Sequence, residues 1–139
     1  SINNLAGVPS VVFGLFGLNN QKYLLLTPHD VDSIRETLPH DKPPVWRELD
    51  VSLLHNAILQ DIMDIDDLEK EKRHLTYSPD AVEILKNVAT GEAQLGIFLN
   101  PVPVSDVLAV ADAGVRMPPK STYFYPKTAG GLVIHSLFE

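Results

Sequence analysis

Two short apolar runs joined by an asparagine pair set the first limit on this chain. Residues 10–18 read SVVFGLFGL and residues 21–27 read QKYLLLT, with Asn19 and Asn20 between them. β-Branched and aromatic side chains favour extended backbone. Asparagine tolerates the left-handed angles of a tight hairpin turn. The segment therefore reads as two antiparallel strands. Both are apolar almost throughout, the pattern of strands covered on both faces.

Downstream the apolar period becomes helical. Pro28, Pro39, Pro43 and Pro44 interrupt residues 28–49, which leaves room for one short helix over 30–38. Asp50 stands as an N-cap before Val51, Leu54, Ile58 and Ile62, whose spacing predicts a helix over 51–63. DIDDLEKEK (64–72) reads as a charged connection and RHLTY (73–77) as a strand. Ser78 as N-cap and Pro79 at the first helical position open the next helix; Ala81, Leu85 and Val88 line one face, and Gly91 closes it. AQLGIFLN (93–100) is a buried-strand pattern. Val104, Val107, Leu108 and Ala111 give a helix over 103–113 ended by Gly114, and GLVIHSL (131–137) reads as a last strand. The expected class is α+β: a mixed sheet of about five strands, an N-terminal antiparallel hairpin followed by βαβαβ with parallel pairing, and helices packed on it. No repeat or linker divides the 139 residues, a single-domain length.

Composition narrows the function classes. Eighteen acids against 11 lysines and arginines give a net charge of −7, which opposes a broad nucleic-acid surface. There is no cysteine, so disulfides, thiolate nucleophiles and Cys-ligated zinc are excluded, in keeping with a cytoplasmic location. No apolar run approaches the ~18 residues of a membrane-spanning helix, and no signal-peptide pattern opens the chain. The start, Ser1-Ile2-Asn3, reads as trimmed, so a fragment of a longer protein is expected.

Few residues carry chemistry. Asp61, Asp64, Asp66 and Asp67 are rich in carboxylates, but DIMDIDDLEKEK lacks the central glycine and terminal glutamate of a calcium loop and reads as a solvated helix end. His29, His40, His55, His74 and His135 form no close pair on one helical face, so no metal site is assigned. GxGxxG, GxxxxGK[ST] and GxSxG are absent. Neither a catalytic residue nor a cofactor is assigned. In WRELD, Trp46 is expected as a core anchor and Arg47 as a surface ion-pair partner.

One stretch runs against the acidic composition. From Ala113 to Phe138 there is no Asp or Glu, while Arg116, Lys120 and Lys127 are present with Ser121, Thr122, Tyr123 and Tyr125. Gly130-Gly131 adds flexible backbone able to present N–H groups. Charge and donors together suit a phosphate or carboxylate. The bland alternative is a proline-pinned loop whose aromatic rings pack down while its lysines stay in water.

The segment ADAGVRMPPKSTYFYPKTAGGLV, Ala111 to Val133, closely resembles the C-terminal signature of the bacterial and archaeal family called domain of unknown function 1015. Resemblance continues through LTYSPDAVEIL, GIFLNPVPVSDVLAVA and WRELDVSLLHNAIL to the hairpin. Usual members are longer and carry an upstream motif of ParB/sulfiredoxin type, which this chain lacks. The resemblance implies a C-terminal part only, whose partner would be the missing N-terminal region, and it implies phosphate handling loosely. The expected function is one wall of an anion pocket serving phosphoryl transfer on a small metabolite or nucleotide. Arg116 and Lys120 would neutralise charge, Ser121 and Thr122 would donate hydrogen bonds, Tyr123 or Tyr125 would shape the wall and Lys127 would assist. The rivals are a structural or homodimerising domain without ligand, and a ParB-like DNA-associated accessory.

Overall fold

Local signals account for most of the helices. In the computed structural model, which describes residues 11–17 and 22–122, Asp30 caps α1 (Val31–Thr37) by accepting from the N–H groups of Asp32 and Ser33 at 3.1 Å each. A four-residue helix, α2 (Pro44–Arg47), starts on its own proline. α3 (Asp50–Leu53) runs directly into a π-helical stretch, Leu54–Gln60. There the Asn56 carboxamide donates to the Ser52 carbonyl at 2.8 Å, taking the acceptor that an α-helix would offer to the Asn56 N–H. α4 (Leu68–His74), α5 (Ala81–Ala89) and α6 (Val104–Asp112) complete the helices.

The sheet has three strands among the described residues: β1 (Phe13–Gly17), β2 (Lys22–Leu26) and β3 (Leu95–Phe98), in the order β2-β1-β3. Both pairings are antiparallel, with Leu15 opposite Leu24 on one side and Ile97 on the other. The class is α+β, as expected, but a sheet of about five strands and the parallel βαβαβ pairing are corrected. Residues 73–77 form no strand. Asp67 caps the charged stretch by accepting from Lys70 N at 2.8 Å, and acids at the start with bases at the end suit the helix dipole. The helix carries on through His74, and Leu75 N still bonds to the Glu71 carbonyl. The expected strand over 131–137 lies outside the described residues.

The buried apolar residues fall into two core clusters. Val11, Phe13, Leu38, Leu53, Leu54, Leu59 and Ile65 form the first; Trp46, Leu49, Val51 and Val110 form the second; Leu99 packs against both. Ile97 faces the first cluster, whereas a side chain at neighbouring Gly96 would meet Ile84 of α5. Successive strand residues alternate faces, so α5 covers the side opposite to the first cluster. β1 is therefore buried from both sides. β2 is not: all five of its residues are exposed. Covered faces were expected for both strands, and the second expectation is corrected: among the described residues, helix α5 packs mainly on β1 and β3.

Three finer expectations also shift. Asp50 is the first residue of α3 rather than its cap, a position held by Leu49 without a side-chain bond. The π-helical widening rotates Leu59 into the core and leaves Ile62 exposed. α5 is capped by Asp80, whose carboxylate accepts from Val82 N at 2.9 Å, and not by Ser78. Gly91 and Gly114 stand just past α5 and α6 at φ 81° and 71°, as their sequence positions predict.

Candidate functional site

The segment after α6 leaves the helix at Gly114 and then alternates. Val115 and Met117 pack against the Trp46 cluster, and Pro118 is buried. Arg116 lies between them with an exposed side chain, while its backbone carbonyl accepts from the indole Nε1 of Trp46 at 3.1 Å. The main chain here is thus nailed to the core while the guanidinium faces solvent. Lys120 follows in a left-handed conformation, φ 60°, and is exposed. Ser121 is half-buried and its hydroxyl donates to the Pro118 carbonyl at 2.7 Å, closing the turn. Thr122 is exposed. Tyr123, Tyr125 and Lys127 lie outside the described residues. The aromatic rings of the packed-loop reading thus lie outside the described residues. The first half of the stretch packs down, and its cations stay outward without an ion pair among the described residues, where the pairing cations of Lys and Arg are Arg35, Lys42, Lys70 and Lys72.

Trp46 gathers more charge than its sequence context suggests. The Lys42 ammonium stands 6.0 Å from its ring centroid. Arg47, expected as a surface ion-pair partner, is half-buried instead, and its Nε is buried without an acceptor among the described residues.

A second polar junction escaped the sequence reading. Burial pushes the Asp50 carboxyl above its ordinary value; the Arg35 charge and a hydrogen bond with Asn100 pull it down, and the Asp106 charge adds a smaller upward push. These four side chains come from α1, α3, the connection after β3, and α6. The available signal was slight: Asp50 has one apolar residue on each side, Leu49 and Val51.

The acidic stretch is organised by one lysine. The Lys70 ammonium lies 3.0 Å from Asp64 and 2.8 Å from Asp66, and its hydrogen bond to Asp66 holds that carboxyl below its ordinary value. An open depression of about 650 Å³ is lined by Asp66, Asp67, Leu68, Glu69 and Glu71. Among the described residues no three His, Asp or Glu side chains converge as metal ligands. His55 Nδ1 lies 3.8 Å from Glu71 across the gap between the π-helical stretch and α4. Burial, aided by the Glu71 charge, raises the Tyr77 phenol.

Among the described residues no helix is long and apolar enough to cross a membrane. Against known proteins, no family model, no curated protein and no solved structure matches the chain.

Proposed function

We propose that this chain is a structural domain that dimerises, joining a second copy of itself along the edge of β2 that no described strand pairs with. One observation carries the reading: every residue of Lys22–Leu26 is exposed, although four of the five are Tyr or Leu. Natural edge strands are guarded by charges, proline or bulges. β2 has Lys22 at one end and none of these along Tyr23–Leu26. Antiparallel pairing of two such strands about Leu24 sets Lys22 against Leu26 and Tyr23 against Leu25, with no like charges opposed. Two three-stranded sheets would become one. A strand this short buries little area, so the association belongs to the weak, concentration-dependent class. Light scattering across a concentration series tests it. A dimer fraction that rises with concentration and is lost in Leu25→Lys is expected; a monomer throughout, or a dimer indifferent to Leu25→Lys, removes the reading.

A second reading, anion binding at residues 116–122, is favoured by Arg116 and Lys120 being exposed and without an ion pair among the described residues, with the backbone at Arg116 fixed by Trp46. In it the two cations neutralise a phosphate or carboxylate and Thr122 donates a hydrogen bond, while Ser121 holds the turn. Inorganic phosphate at constant ionic strength is then expected to raise the melting temperature of the parent but not of Arg116→Ala or Lys120→Ala. No rise in the parent ends it.

A further inference from the structure

We infer that Lys42 and Arg47 join Arg116 in a single cationic site built around Trp46, which takes a phosphate group. The inference rests on the anion reading of residues 116–122 and adds a second wall to it. The two walls meet at one indole. Lys42 approaches the ring of Trp46 to 6.0 Å, and Arg116 is fixed to its N–H by a 3.1 Å bond through the backbone carbonyl. Val45 and Met117, neighbours of the two walls in sequence, pack on the same buried cluster. Lys42 and the Arg116 main chain thus meet at one indole, and Arg47 adjoins it in sequence, in a chain with a net charge of −7.

Their present partners are poor. Lys42 pairs with its own sequence neighbour Asp41 at 3.4 Å, an exposed contact of little strength. Arg47 buries its Nε without an acceptor among the described residues. A buried Nε is left needing an acceptor, and the forked donors of a guanidinium match phosphate oxygens. The ammonium of Lys42 supplies a point charge beside it. Trp46 serves as a rigid partition that fixes the spacing of both walls.

Trp46 is the only tryptophan, so its emission reports on this place alone. The test is a fluorescence titration of the full chain with inorganic phosphate, with chloride as control at equal ionic strength. A saturable change absent with chloride is expected, and Lys42→Ala and Arg47→Ala should each weaken it about fivefold, the scale of one exposed ionic contact. Should Arg47→Ala unfold, as circular dichroism would reveal, Lys42→Ala and Arg47→Lys carry the measurement. Weakening by Arg116→Ala or Lys120→Ala alone keeps the loop reading and overturns the second wall. Weakening by Lys42 and Arg47 variants alone keeps the wall and removes the loop. No saturable change overturns both.

Discussion

The indole N–H of Trp46 donates to the backbone carbonyl of Arg116 at 3.1 Å, joining α2 to the segment after α6 across 70 positions of sequence. Both ends are constrained by packing: Trp46 is buried, and Val115 and Met117 on either side of Arg116 lie against its cluster. Trp46→Phe keeps an aromatic ring and deletes the donor. It leaves a partly buried carbonyl unpaired, so a loss of about 1–2 kcal/mol is expected, read from urea unfolding by circular dichroism. Trp46→Ala, which also empties the cluster, should cost about 3–5 kcal/mol. Equal losses for the two variants would mean that packing contributes nothing beyond the bond.

Gly17 and Gly91 both have positive φ, 122° and 81°, yet they should respond differently to alanine. At Gly17 the added methyl meets the Gln94 carbonyl and Val88; at Gly91 nothing lies within 4 Å. Gly91→Ala is expected to cost about 1 kcal/mol, the conformational penalty alone. Gly17→Ala adds a clash with backbone that cannot turn aside, and should lose more than Gly91→Ala by about 1–3 kcal/mol. Thermal unfolding of the two variants side by side decides it.

Legibility in the sequence followed the range of the interactions. The short helix after Asp30, the stops at Gly91 and Gly114, the strand over Leu95–Phe98 and the helix Val104–Asp112 rest on contacts within a few residues, and each was readable. The direction of β3 was not, since β1–β3 pairing depends on how some 80 intervening residues return to the sheet. Nor was α4, whose charged sequence looked like a connection until its acids and bases are seen to follow the helix dipole. Arg116 and Lys120 are exposed, and the role of Trp46 in fixing Arg116 needs a contact that no local pattern encodes. Arg47, expected at the surface, is half-buried instead.

Leu25 and Leu38 make a direct comparison of the open edge with the core. Leu25 is 69% exposed and Leu38 is fully buried in the first cluster. Leu38→Ala should cost about 2–5 kcal/mol. Leu25→Ala in the monomer should stay within about 0.5 kcal/mol. Urea midpoints at low protein concentration separate the folding effect from association. A large loss at Leu25 under those conditions would place the strand against a covering layer and remove the basis for an open edge.

Asp50 gives the fold a titration with a defined sign. Burial holds its folded carboxyl above its ordinary value, and an unfolded aspartate titrates near about 3.9. The folded state therefore binds this proton more tightly. The resulting stability is fully present below the unfolded value and is lost as pH rises through the folded one. Asp50→Asn does not titrate, so its stability relative to the parent should increase as pH climbs from about 4 towards 7, while groups common to both proteins cancel. Arg35 opposes the burial effect. Arg35→Met should thus steepen the parent's loss over the same interval, and the steepening should vanish when Asp50→Asn is added. Urea midpoints of the four proteins at each pH provide the cycle. A difference between Asp50→Asn and parent that stays level across the interval would mean that the carboxyl meets water as freely in the folded chain as in the unfolded one.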